Sequence, residues 1–150
     1  MSVDSSFFLP EALMIDVPEL DAQHRSLFAG LAELKALCIK ENSLPQAYAE
    51  HLLLALREHF ATEERLADEI GVDFTDHAEK HDRMLAAITK GMADVYDGKR
   101  DVFGLLRFVE YWFERHIKED DMPLGESLVA VRSSPTGLRP AAGISSAAAA

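Results

Sequence analysis

The sequence predicts an all-α protein: an antiparallel up-down four-helix bundle with an extended N-terminal arm and a flexible C-terminal tail. Three observations predict it. Large apolar residues recur mostly at steps of three or four in four separate stretches, which is the spacing of one helical face. The breaks between those stretches are short, which implies antiparallel neighbours. Strand-like alternation and internal repeats are both missing. At 150 residues with 48% hydrophobic composition, the chain has the core of one globular domain.

Residues 1–18 are the arm, in which Pro10 and Pro18 disfavour helix in the residue before each; it is expected to pack on the surface of the helical domain, which spans residues 19–121. The first helix, about Glu19 to Lys40, buries Leu20, Leu27, Phe28, Leu31, Leu34, Leu37 and Cys38. After the break ENSLP, a second carries Tyr48, Leu52, Leu56, Phe60, Leu66 and Ile70, and Gly71 supplies a left-handed C-terminal residue. The third stripe is Phe74, Met84, Ile88, Met92 and Val95, with Asp73 or Thr75 to cap its start, a DGK turn to close it and Gly91 as a small helical penalty. The fourth starts after Asp101 and runs Val102, Leu105, Leu106, Val109, Trp112 and Phe113. From Met122 the composition turns to Pro, Gly, Ser and Ala. Residues 122–150 lack the large apolar side chains that offset ordering entropy and are expected to be the tail.

A formal net charge of −11 repels phosphate backbones and anionic lipid, so neither nucleic acid nor membrane is an expected partner. No stretch approaches the roughly 18 consecutive apolar residues of a spanning helix. Cys38 is the only cysteine and forms no internal disulfide, and the N-terminus lacks a basic segment followed by a long apolar run. These features predict a soluble cytoplasmic protein, monomeric or weakly self-associating.

The informative residues interrupt the apolar stripes. His59 and Glu63 share a row with Leu52, Leu56 and Leu66; His77 and His81 are spaced i, i+4 between Phe74 and Met84; His116 follows Val109 and Trp112; His24 lies between Leu20 and Leu27. All six residues point inward by helical spacing, while His51 falls on a solvated face. A lone histidine on an apolar face is more often a hydrogen-bonded core residue than a ligand. Five imidazoles and a carboxylate in one small core are too costly to bury unless each is compensated, and a metal compensates all of them together. In HIKEDD, residues 116–121, ideal helical geometry brings Asp120, at i+4, over His116 and swings Asp121 away.

Five nitrogens with one or two carboxylates exceed the four ligands of a structural zinc site, and thiolates are missing. Two metals bridged by carboxylates accommodate the set, and imidazole with carboxylate suits iron. HAEKH places Glu79 third, whereas the zinc-protease motif HExxH needs it second. No histidine has a glutamate three residues before it, as the oxygen-activating di-iron bundles do; Asp21 before His24 is the nearest approach and reads as a first-turn residue favoured by the helix dipole.

The ordered series DAQH at residues 21–24, HFATE, HAEKH and HIKEDD resembles the hemerythrin family, in particular its single-domain bacterial members, over roughly Glu11 to Asp121. The resemblance implies a non-haem centre of two Fe ions bridged by Glu63 and Asp121. His77, His81 and His116 would saturate one iron, and His24 and His59 would bind the other and leave one position open for dioxygen. It implies reversible oxygen binding for transport, storage or sensing rather than an enzyme; a peroxidase or nitric oxide reductase on the same site, or iron storage or structural metal binding, is the alternative. Phe28, Phe60, Trp112 and Phe113 lie near ligands in sequence and would line the pocket, or pack as ordinary core. The family's bridging aspartate lies five residues after the histidine, at Asp121, against the ideal-helix preference for Asp120. Pro123 disfavours helix at Met122, so an unwound or π-like last turn is expected to rotate Asp121 inward and leave Asp120 facing solvent.

Overall fold

In the computed structural model, which describes residues 9–134, four long rods form the bundle. α1 (Pro18–Glu41), α2 (Gln46–Glu69), α3 (Thr75–Tyr96) and α4 (Val102–His116) pack as a ring, α1 against α2 and α4, and α3 against the same two. The up-down order follows from the connections, each too short to do anything but reverse the chain. Asn42 ends α1 in the left-handed region with φ 54°, and Gly71, at φ 74°, ends α2. The Gly71 N–H bonds Asp68 O and the Val72 N–H bonds Ala67 O, satisfying carbonyls that the last helical turn leaves unpaired. Asp101 begins α4 by accepting the Gly104 N–H at 2.8 Å, an N-cap of the ordinary kind. The N-cap of α3 is Phe74, which lies between the two expected caps and makes no side-chain cap bond; Asp73, one residue earlier, accepts the Thr75 N–H at 3.0 Å. Tyr48 departs from the predicted second stripe and is 39% exposed, its neighbour Ala49 taking the inward position in the first turn of α2.

Residues 122–133 are not a flexible tail. They form α5 (Met122–Ser133), which continues α4 through one wide turn, Ile117–Asp121, of π-helical geometry. Leu124 and Leu128 are buried; their i, i+4 spacing makes a narrow apolar stripe that the averaged composition of the Ala- and Ser-rich end conceals. Pro123 does not end the helix. Met122 keeps helical dihedrals, φ −61° and ψ −45°, and its N–H bonds Ile117 O five residues back. A proline ring clashes with the carbonyl one α-turn earlier, and a π turn widens the helix where that clash would fall. Residues 135–150, the remainder of the expected tail, lie outside the described residues.

The arm does more than cover the surface. Leu9, Leu13, Ile15 and Val17 are buried, and a short 3-10 turn, Glu11–Leu13, interrupts its extended course. Residues 1–8 lie outside the described residues. Asp21, in the first turn of α1 as predicted, also anchors the arm: its carboxylate accepts the N–H of Ile15 at 2.9 Å and of Asp16 at 3.1 Å. Arm and α5 pack against each other at Gly125, where an added Cβ would stand 3.0 Å from both the Cβ and the carbonyl oxygen of Ile15. Because backbone must move to admit it, Gly125→Ala is expected to lower stability by about 1–3 kcal/mol in denaturant unfolding. Across the bundle Arg132 of α5 ties back to Glu19 at 2.7 and 3.0 Å. Among the described residues no helix is long and apolar enough to cross a membrane.

Candidate metal centre

Each long helix contributes to one buried polar cluster. His24 comes from α1, His59 and Glu63 from α2, His77 and His81 from α3, His116 from the end of α4 and Asp121 from the π turn. These seven residues fall into two overlapping groups: Glu63, His77, His81, His116 and Asp121 in one, and His24, His59, Glu63 and Asp121 in the other. Within each group one ligand atom per residue lies within 4.8 Å of all the others. All are buried except His77, whose side chain is 11% exposed.

The two carboxylates divide their oxygens between the groups. Glu63 Oε1 is 3.1 Å from His81 Nε2, while its Oε2 is 3.2 Å from His59 Nε2. Asp121 Oδ1 is 3.0 Å from His77 Nε2 and 3.1 Å from His116 Nε2, while its Oδ2 is 3.2 Å from His24 Nε2. Three imidazole nitrogens crowd one side: His81 Nε2 and His77 Nε2 lie 2.9 and 3.2 Å from His116 Nε2.

The π turn decides how HIKEDD is used. Its i→i+5 bonding carries Asp121 round to the side of His116 that faces the cluster, and Asp121 is fully buried. Asp120 does not face solvent as expected. It stays near His116 at i+4, where its Oδ2 accepts the Nδ1–H at 3.0 Å, while its Oδ1 accepts from Lys80 Nζ at 2.7 Å. Both aspartates therefore serve one imidazole, on opposite ring nitrogens.

Hydrogen bonds outside the cluster fix which nitrogens face it bare. A carboxylate only accepts, so His116 carries its proton on Nδ1 and offers a lone pair from Nε2. At His59 the Thr62 hydroxyl donates to Glu58 O at 3.0 Å, Gln23 Nε2 donates to Thr62 Oγ1 at 3.1 Å, and His59 Nδ1 donates to Gln23 Oε1 at 2.7 Å. His59 Nε2 is thereby left unprotonated and aimed inward. Burial, reinforced by the neighbouring imidazoles, lowers the pKa of His59 to about 4 and that of His81 to about 2. Burial and the charge of Asp121 push Glu63 up to about 8. Burial also works against an ionised Asp121, but the imidazoles of His116, His24 and His77 close beside it outweigh burial and hold that carboxyl well below its usual range.

Such a cluster is costly unless something completes it. Of the buried side-chain atoms among the described residues that have no hydrogen-bond partner, all but Glu33 Oε2 belong to His24, His59, Glu63 and Asp121. Cations satisfy those lone pairs. Metal–imidazole bonds of about 2.1 Å at right angles separate two nitrogens by about 3.0 Å, which agrees with the 2.9 and 3.2 Å observed. The donor set fits metal binding.

Aromatic rings seal the site. Phe60 stacks on His81 at 3.7 Å and Trp112 on His116 at 4.5 Å. Phe113 meets His24 and His59 edge-on at 5.5 and 5.9 Å, and Phe28 backs Phe113 at 5.0 Å. The four aromatics expected near the ligands are there, and Phe74, stacked on His77 at 4.3 Å, joins them. His51 is exposed, on the solvated face as expected. Sequence reasoning missed Gln23, Thr62, Lys80 and the role of Asp120; the i+4 spacing of Asp120 was the available signal, since it marks a partner for the outer ring nitrogen rather than a ligand.

The sequence model of the Hemerythrin HHE cation binding domain matches residues 16–126. Comparison with curated proteins and with solved structures gives no match. The matched span runs from the end of the arm through the π turn and into α5, and so contains every residue of the cluster. With that span, the four-helix ring and the histidine, glutamate and aspartate cluster in agreement, the chain belongs to the hemerythrin family and its bundle is a metal-binding domain.

Proposed function

We propose that this domain holds two iron ions and binds dioxygen reversibly. The observation that carries the reading is the division of Glu63 and Asp121, each presenting one oxygen to a three-imidazole group and the other to a two-imidazole group. Seven donors shared in this way exceed what one ion takes, and imidazole with carboxylate suits iron. The iron pair, when bound, supplies two electrons that dioxygen takes up and returns.

The protein's part is to prepare the two positions unequally. His77, His81 and His116 crowd one, whereas His24 and His59 leave the other with fewer protein donors. Neutral imidazoles limit the negative charge around the pair, which favours giving electrons back over completing an oxidation. Phe113, edge-on to His24 and His59 with Phe28 behind it, keeps water from the less crowded position. A cleft of about 350 Å³ between α1 and α2 reaches Gln23 and His59, which supports entry of a small molecule from that side.

The test is to load the protein with ferrous iron without oxygen, admit air and record the optical spectrum through repeated degassing. We expect a band that appears in air and vanishes on degassing. Irreversible oxidation with turnover of an added reductant would instead make the site that of a peroxidase or nitric oxide reductase. Iron held without any response to air would indicate storage or a structural metal.

A further inference from the structure

We propose that Asp120, tied to Lys80, is a positioning residue that acts through His116 to lower the reduction potential of the metal held by His77, His81 and His116. The inference rests on the iron reading above and adds to it a difference between the two metal positions that the ligands alone do not contain.

The difference lies one layer out from the cluster. His116 Nδ1 donates to a carboxylate, Asp120 Oδ2, at 3.0 Å, whereas His59 Nδ1 donates to a neutral amide, Gln23 Oε1, at 2.7 Å. His24 Nδ1 has no hydrogen-bond partner among the described residues. A carboxylate on the outer nitrogen raises the basicity of the inner one, and a more basic donor favours the more highly charged metal. The three-imidazole position is thus biased towards the ferric state relative to its neighbour, which has only an amide behind one of its histidines.

Asp120 does not simply hold the ring in place. Trp112 lies almost parallel to the His116 ring, at 4.5 Å and 10°, so the imidazole plane is fixed by stacking as well. Lys80 sets the strength of the effect. Its ammonium lies 2.7 Å from Asp120 Oδ1 and takes a share of the carboxylate's charge, moderating what reaches His116. The carboxylate is 17% exposed and lines a solvent-facing groove between α3 and α4 together with Lys80 and His116.

The experiment is a potentiometric titration of the iron-loaded protein, followed optically, for the wild type, Asp120→Asn and Lys80→Met. Asp120→Asn keeps an acceptor for the His116 N–H but removes the charge, and is expected to raise the midpoint potential, by about 59 mV for each tenfold loss of ferric over ferrous preference. Lys80→Met leaves the carboxylate uncompensated and is expected to lower it. Opposite signs support the proposal, because loosened packing alone would move both variants the same way. Shifts of the same sign, or an unchanged Lys80→Met, overturn it, and that variant decides the matter even if Asp120→Asn fails to fold. A wild type that takes up no iron pair would instead refute the functional reading, whereas two irons per chain with unshifted variants would refute this proposal alone.

Discussion

Asp121→Ala is expected to strip the centre of both metal equivalents, whereas His77→Ala costs the metal of one group. Asp121 belongs to both groups and uses both oxygens, contacting His77 and His116 on one side and His24 on the other. His77 belongs only to the first. Removing an outer hydrogen-bond partner of a ligand already costs about 10–100-fold in metal affinity, so loss of a shared ligand should exceed that at both positions. Metal analysis after desalting reads the result directly. Helical content by circular dichroism should be preserved, because the carboxylate forms no bond on which the helices depend. Retention of one full equivalent by Asp121→Ala would show that the two groups do not share that carboxylate.

Metal removal is expected to lower the unfolding temperature by about 10 °C or more, since a ligand at a thousandfold its dissociation constant contributes about 4 kcal/mol per site. The metal-free protein should also gain a pH dependence of definite sign. Glu63 has a folded pKa of about 8, above its ordinary value of 4.5, so its contribution is full below about 4.5 and is lost as pH rises through 8. His59 and His81 are lowered from 6.5 to about 4 and about 2; their contribution is full above 6.5 and is lost as pH falls. Between 4.5 and 6.5 the two histidines outweigh the one glutamate, and above 6.5 only the glutamate remains. The metal-free protein is therefore expected to lose stability in both directions, through the histidines as pH falls below about 6.5 and through Glu63 as pH rises towards 8. With metal bound Glu63 is ionised as a ligand, the decline disappears, and loading near neutral pH releases its proton. Calorimetric unfolding of chelated and loaded protein between pH 5 and 8.5 checks each part.

Most of the bundle was legible because periodicity and punctuation agreed. Leu52, Leu56, Leu66 and the glycine at 71 mark the inner face and end of α2 without reference to anything else in the chain. Six of the seven candidate ligands, His24, His59, Glu63, His77, His81 and His116, were legible for the same reason, since a polar residue on an apolar row stands out against its neighbours; Asp121 came only from the family resemblance. What was not legible depended on contacts between distant segments. Leu124 and Leu128 look like a weak stripe in a low-complexity end until the arm's Ile15 is seen packed against Gly125. Pro123 reads as a terminator because, although a π-like turn before it was expected, the sequence does not reveal that this turn makes room for the ring and lets the helix continue into α5. Asp120 and Asp121 look like rivals for one role, although a histidine has two nitrogens and the wide turn gives each aspartate its own. Lys80 and Gln23 are ordinary surface residues in sequence and gain meaning only from the atoms they face across the bundle.

The central claim is that two irons share Glu63 and Asp121, and its most direct test is an anaerobic ferrous titration coupled to Mössbauer and electron paramagnetic resonance spectra after oxidation. The account predicts saturation at two irons per chain and an oxidised state in which they are magnetically coupled, with no paramagnetic resonance signal. Saturation at one iron, with the resonance of an isolated ferric ion, would contradict it.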